Sequence, residues 1–75
     1  MNHLDRITVN ADVMGGRPCI RGLRMPVSRI LGMLAGGESE PTILANHPDL
    51  ESEDIRQSLA YAAGLADNQA LSLAG

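Results

Sequence analysis

The sequence contains few of the side chains that anchor or cross-link a small protein. Tyr61 is the only aromatic residue among 75, so no large aromatic cluster anchors the core. Cys19 is the only cysteine, which excludes an intramolecular disulfide and is typical of a reducing compartment. A chain of this length buries only about 60% of its unfolded surface. We therefore expect its stability to be shared with a second chain, and we predict a homodimer or a permanent partner.

Targeting and membrane-spanning segments are also lacking. No stretch approaches the roughly 20 apolar residues of a membrane span. The first residues lack the basic, apolar and small-residue succession of a signal peptide. We therefore expect a cytoplasmic protein with no membrane partner.

The residue groups that carry catalysis or bind metals are absent as well. His3 and His47 with Asp49 do not have metal-ligand spacing. Cys19 has no spaced histidine partner, and it is typical of a small core residue. The acidic residues from 51 to 54 resemble a solvated helix start, and no glycine loop that could cradle a phosphate is present. We therefore predict no metal, no cofactor, no catalytic residue and no enzyme activity.

The charges are unevenly distributed. Residues 1–37 carry five arginines against two aspartates, a net charge of +3, whereas residues 38–75 carry one arginine against seven acidic residues, a net charge of −6. Lysine is absent, and arginine is the basic side chain whose planar fork suits phosphates and carboxylates. Six basic residues are also few enough for this bias to arise by chance. The asymmetry itself predicts two faces with different partners.

The segment from Gly15 to Val27 is the most distinctive part of the chain. It holds three of the six arginines, three of the eight glycines and two of the four prolines. Short β-prone pieces at residues 7–9, 19–20 and 23–25 predict a β-hairpin or ribbon over residues 7–27, with Arg21-Gly22 as a tight turn. The residues expected to shape the ribbon and its turn are Gly16, Pro18, Gly22 and Pro26.

From Val27 the apolar period changes from two to about 3.6, which predicts three helices. Helix one covers about 27–35, because Gly36-Gly37 ends it. Helix two covers about 40–46, with Ser39 as its N-cap and Pro48 preventing its extension.

Helix three is predicted to begin after a cap at Ser52 and to end at Gly64 or near Asp67. Its expected apolar face is formed by Ile55, Leu59, Ala62 and Ala66. The fold class is therefore mainly α, a three-helix, helix-turn-helix bundle preceded by a β-ribbon. Residues 1–67 form a single domain, and residues 68–75 form a tail that is either flexible or docks on a partner.

The ribbon resembles a known family signature. Gly16–Val27 is similar to the "GKPxIRGTRIPV" signature of the DUF433 proteins, except that Leu23 replaces the usual threonine and Met25 the usual isoleucine. The similarity extends over roughly residues 7 to 63. It includes Ile30-Leu31, Leu34–Gly37, Ile43-Leu44, His47–Leu50, Asp54-Ile55 and Leu59–Ala63.

The resemblance implies a homeodomain-like domain and an antitoxin of a type II toxin–antitoxin module. The implied partner is a PIN-like nuclease toxin with a carboxylate-bound metal site. The expected function is neutralisation of this nuclease, and repression of the shared operon through DNA binding is a second role that the resemblance allows. The alternative is a stand-alone helix-turn-helix DNA-binding regulator.

The candidate DNA- or toxin-binding residues are Arg17, Arg21, Arg24 and Arg29. They could bind phosphates or pair with carboxylates in a nuclease. The same arginines could instead hold the ribbon in place by internal salt bridges. In helix three only Arg56, Gln57, Ser58 and Asn68 are obvious polar readers of DNA. Because the start of this helix is acidic, we expect the ribbon to make most of any DNA contact.

Overall fold

Three helices follow a short antiparallel hairpin, which confirms the predicted mainly helical fold. The computed structural model describes residues 4–68. Its elements are β1 (Ile7–Thr8), a 3-10 turn (Met14–Gly16), β2 (Cys19–Ile20), α1 (Val27–Ala35), α2 (Glu40–Asn46) and α3 (Ser52–Asn68). The tail beyond α3, from residue 69, and His3 lie outside the described residues.

The strand pairing differs from the prediction. β2 pairs with β1, with Ile7 opposite Ile20 and Thr8 opposite Cys19. The segment 23–25 forms no strand, and the chain returns to β2 only as an isolated bridge between Cys19 and Pro26. Proline has no amide hydrogen and cannot extend a ladder, so the second strand of the hairpin comes from the N-terminal side.

The predicted tight turn at Arg21-Gly22 is present. The Leu23 amide donates to the Ile20 carbonyl oxygen at 2.6 Å. Arg21 has a φ of 43° and Gly22 a φ of 75°, and two positive φ values are the requirement of a type I′ turn. Glycine adopts this conformation freely, whereas arginine adopts it at a cost. Contacts of the Arg21 side chain must therefore help to hold the turn.

The bounds of α1 and α2 agree with the predictions. α1 ends in a glycine cap in which Gly37 has a φ of 96°, and the Gly37 and Glu38 amides donate to the carbonyls of Leu34 and Met33. This is the Schellman arrangement. At α2, the Ser39 hydroxyl accepts the Thr42 amide at 3.3 Å, as expected for an N-cap.

The start of α3 is capped differently from the prediction. Ser52 is the first residue of the helix, and its hydroxyl donates to the Glu40 carboxylate. The Asp54 carboxylate instead accepts the Glu51 amide at 2.8 Å, which is the contact that an acidic residue makes at the third position of a capping box. The aspartate therefore fastens the helix start in place of the serine.

The core is built from aliphatic side chains of β2, the three helices and the loop before α3, and Ile7 of β1 packs against it. Its fully buried members are Ile20, Val27, Ile30, Ile43, Leu50 and Ile55. The predicted apolar face of α3 is wrong at Leu59, which is 50% exposed, and at Ala66, which is also exposed, whereas Ala62 is half-buried. The face that packs inward carries polar residues instead, since Asp54, Gln57 and Ser58 are all buried.

Candidate partner-binding surface

A buried carboxylate joins the ribbon to α3. Asp54 is fully buried and lies within hydrogen-bonding distance of both Arg21 and Arg6. Arg21 donates to both carboxylate oxygens, at 3.0 Å from Nε and 2.8 Å from Nη2, and Arg6 donates at 3.2 Å. A bidentate guanidinium–carboxylate pair is among the strongest side-chain contacts. Its position explains how Arg21 keeps its left-handed backbone.

A second set of contacts fixes the start of β1 on the same helix. The Gln57 side-chain oxygen accepts the Arg6 amide at 2.9 Å, and its side-chain nitrogen donates to Asp5 at 2.8 Å. The Arg6 guanidinium also pairs with Glu51 at 2.5 Å. We call the four residues Arg6, Arg21, Asp54 and Gln57 the polar latch, because their contacts attach the ribbon to α3.

The latch keeps Asp54 ionised although it is buried. Burial raises the pKa of the Asp54 carboxyl, but hydrogen bonds from Arg21, the Glu51 amide and Arg6 outweigh it, so that the pKa lies below its ordinary value. A charged, fully bonded group is tolerated inside a protein where an unpaired one is not. Arg21 therefore holds the ribbon through an internal salt bridge, which was the alternative to partner binding for this arginine.

The other three candidate arginines are differently placed. Arg17, Arg24 and Arg29 are exposed, and within residues 4–68 their guanidinium groups form no hydrogen bond or ion pair. Arg17 and Arg24 lie on either side of the latched Arg21 in the chain, and Arg29 lies in α1. Three positive charges are thus presented to solvent without a partner in the part of the chain that the structure describes.

The four arginines do not meet in a single pocket. Arg17 and Arg21 line one surface pocket with Thr8, Asn10 and Gly22. Arg24 lines a different one beside His47 and Asp49. The candidate arginines are therefore spread along the ribbon and α1 and are not gathered around one of these pockets.

The four ribbon-shaping residues lie where the chain turns or meets another element. Gly16 ends the 3-10 turn, and Gly22 follows Arg21 in the tight turn. The Pro18 carbonyl accepts the Val27 amide at 2.9 Å, and Pro26 precedes α1 with a φ of −65°. These contacts attach the ribbon to the first turn of α1, so that Arg17 lies beside that turn.

The outer surface of α3 has few groups that could read DNA. Of the expected polar readers, Gln57 and Ser58 are buried, and the side chain of Asn68 lies outside the described residues. Arg56 pairs with Glu53 at 2.6 Å. Hydrogen bonds to Arg56 and Gln57 hold the pKa of Glu53 at about 2, so this acid stays charged. The arginine in the first turns of α3 is therefore already paired and is not free to bind a phosphate.

The structural role of Asp54 was not predicted from the sequence, which placed this residue in a solvated helix start. Acidic residues are common in the first turn of a helix, so local sequence gives no sign of burial. The Asp54-Ile55 pair within the family resemblance was the only available signal. Within residues 4–68 no three histidine, cysteine or acidic side chains converge as metal ligands would, and no helix there has both the length and the apolarity to cross a membrane.

These features define a class of protein, a small three-helix domain whose arginine-rich ribbon is latched to its third helix. Residues 7–62 match the family described as a protein of unknown function, DUF433. The chain belongs to this family, and the predicted resemblance is confirmed at that level.

Two related proteins are similar over much of the chain. The uncharacterized protein y4eO of Sinorhizobium fredii is 38% identical over 56 residues, covering 75% of this chain and 25% of that protein. The crystal structure of a DUF433 member protein from Anabaena variabilis superposes with a TM-score of 0.79 at 28% identity, covering 85% of this chain and 63% of the other. The chain thus spans about a quarter of its curated relative and less than two thirds of the crystallised one.

Proposed function

We propose that this chain is a non-enzymatic, cytoplasmic antitoxin that binds and neutralises a PIN-like ribonuclease. The proposal is based mainly on Arg17, Arg24 and Arg29, which are exposed and whose guanidinium groups have no partner within residues 4–68. Exposed arginines without internal partners are available to another molecule. The family resemblance supplies the identity of that molecule.

Carboxylates are the partner chemistry that fits these arginines. A nuclease site of the PIN-like kind gathers several carboxylates to hold its metal, and a planar guanidinium pairs with a carboxylate through two parallel hydrogen bonds. An arginine inserted there would satisfy the ligand carboxylates and displace the metal or the RNA. Opposite charges would also speed the encounter of the two proteins.

DNA is the weaker candidate for this surface. Glu51 directly precedes α3 and Glu53 lies in its first turn, and the one arginine of α3 is already paired with Glu53. Acidic residues there oppose binding to a phosphate backbone. In the proposal, operon repression belongs to the complex, and any DNA contact is made by the ribbon.

The proposal includes a homodimer. Within residues 4–68, the buried apolar side chains are the six of the core cluster and Cys19, and Val9 remains 67% exposed. A core of this size provides little stability to a single small chain. Gel filtration with light scattering gives the oligomeric state directly, and a monomer at micromolar concentration would contradict this part.

The test uses a PIN-like nuclease from the neighbouring reading frame, where the proposal predicts that one is encoded. We expect the chain to abolish its RNA cleavage at a one-to-one ratio and to elute with it as a complex. Arg24→Gln should weaken inhibition at least tenfold, or about 1.4 kcal/mol. Arg56→Gln is the matched control, because it also neutralises an exposed arginine, but one already paired with Glu53.

Two results would overturn the proposal. One is a cognate nuclease that stays fully active, with no complex on gel filtration. The other is specific DNA binding by the isolated chain in a mobility-shift assay, with a salt slope that falls by about one for each arginine removed and with no effect on the nuclease. That pattern would support the stand-alone regulator instead.

A further inference from the structure

An apolar groove runs between α1 and α3 beside the ribbon, and nothing in the latch or the core fills it. Its volume is about 370 Å³, more than twice that of a buried cavity of about 150 Å³ that holds a benzene molecule. The principal lining residues are Arg17, Pro18, Val27, Leu31, Tyr61 and Leu65.

The walls of the groove have a helical repeat. Val27 and Leu31 are four residues apart on α1, and Tyr61 and Leu65 are four residues apart on α3. Four residues of helix rise about 6 Å. The side chains at i and i+4 of a helix from another molecule have the same separation. The groove therefore has the length to receive two such apolar side chains, as in helix-in-groove recognition.

The groove is mainly apolar, with Ser28 and the Tyr61 hydroxyl as neutral polar groups and Arg17 as its charged residue at the ribbon end. Arg17 lines it there, next to the first turn of α1, and its guanidinium is exposed and has no partner within residues 4–68. α1 has no acidic residue in its first turn, so no carboxylate of that helix offsets the charge. An occupant that buries apolar side chains between the helices must therefore complement a cation at this end.

We propose that the groove binds an amphipathic helix of the nuclease partner, with two apolar side chains at i and i+4 between α1 and α3 and a carboxylate on Arg17. This inference rests on the proposed antitoxin function and names the segment of the partner that is recognised. The exposed arginines then have two different roles. Arg17 acts with the groove in docking, and Arg24 and Arg29 remain available to the acidic site of the nuclease.

Leu65→Asp is the discriminating variant, because Leu65 is 40% exposed and its replacement leaves the core intact. The matched control is Leu59→Asp, on the same helix and 50% exposed but outside this groove. Circular dichroism confirms that both variants fold. Titration calorimetry with the neighbouring nuclease should give at least a tenfold weaker Kd for Leu65→Asp and less than a twofold change for Leu59→Asp.

A second pair of variants tests the charge at the ribbon end. Arg17→Gln should weaken the complex about tenfold, whereas Arg17→Lys should recover part of the affinity, because a lysine retains the charge but loses the bidentate geometry. Equal affinity for wild type and Arg17→Gln would overturn the carboxylate contact.

The remaining outcomes separate this inference from the function on which it rests. No complex with the wild-type chain refutes the antitoxin function and the groove together. A complex that Leu65→Asp leaves unchanged refutes the groove alone. A dimer of the wild-type chain that Leu65→Asp converts to a monomer, while nuclease affinity is kept, assigns the groove to a second copy of this chain and also refutes the inference.

Discussion

Replacing Asp54 by asparagine should destabilise the protein more than any other single polar change among the described residues. Oδ2 of Asp54 accepts from Arg21 and from the Glu51 amide, and Oδ1 accepts from Arg21 and Arg6. An asparagine has one acceptor atom and one donor atom there, so two of these four bonds are lost in either orientation. The negative charge between the two arginines is lost as well.

The expected loss of stability follows from the hydrogen bonds that are removed. A hydrogen bond to a charged group contributes about 1.5–3 kcal/mol, so two lost bonds correspond to about 3–6 kcal/mol. The arginine side chains are 28% and 35% exposed, so water recovers part of this. We expect the free energy of unfolding to fall by about 3 kcal/mol, out of a total of about 4–11 kcal/mol for a domain of this size.

Urea unfolding followed by circular dichroism at 222 nm measures this loss, and the melting temperature should fall by about 12–24 °C. Glu51→Gln is the control, because Glu51 pairs with Arg6 but is 63% exposed, and exposed pairs contribute little. Its loss should be several times smaller. An Asp54→Asn variant as stable as the control would refute the latch.

The stabilisation by Asp54 should also depend on pH in a definite direction. Because the folded pKa of Asp54 is lowered, its stabilising effect is full above the unfolded value of about 3.9 and is lost as the pH falls through the folded pKa. The difference in stability between wild type and Asp54→Asn should therefore be largest at pH 6–7 and shrink below about pH 4. A difference that stays constant down to pH 2.5 would contradict an ionised Asp54.

Three further predictions concern the helices and the core. Gly32→Ala should raise the free energy of unfolding by about 0.5–1 kcal/mol, because its added methyl group meets no atom within 4 Å; Gly37→Ala should lower it by about 1 kcal/mol, because that residue has a φ of 96°, and equal urea midpoints for the two variants would contradict the helix cap. Cys19 is 1% exposed, so Ellman's reagent should label it roughly 100-fold more slowly in native buffer than in urea; rapid native labelling would show that β2 opens. An NMR titration of the Glu53 carboxyl should have its midpoint near 2, and Arg56→Met should shift it towards 4.5; no shift would mean that this ion pair is absent in solution.

Local signals were enough to place the helices. Gly36 and Gly37 ended α1, Ser39 began α2, and Pro48 separated α2 from α3. Each acts on its own backbone or on neighbours within a few residues. The bounds of α1 and α2 therefore followed from short stretches of sequence.

Long-range contacts left no such signal. The partner of β2 lies 11 to 13 residues upstream, whereas the turn at Arg21-Gly22 pointed to a partner immediately downstream. Asp54 is 33 residues from Arg21 and 48 from Arg6, and its place in the first turn of α3 is typical of a solvated acid. The buried polar face of α3 was hidden for the same reason, because Gln57 and Ser58 are buried by partners that periodicity cannot identify.

The structural interpretation holds for Arg21, and partner binding is proposed for the three other arginines. Arg21 holds the ribbon through Asp54, whereas Arg17, Arg24 and Arg29 carry no internal pair within the described chain. This separation makes the proposed function testable, because the exposed arginines can be changed without disturbing the latch.

The most direct test of the exposed-arginine surface is inhibition of the neighbouring nuclease by a chain in which Arg17, Arg24 and Arg29 are all replaced by glutamine. Each side chain is exposed, so the urea midpoint of this variant should match that of the wild type. We predict that it no longer inhibits RNA cleavage at a one-to-one ratio, whereas the wild-type chain and Arg56→Gln do. Full inhibition by the folded triple variant would contradict the central claim that these arginines bind the partner.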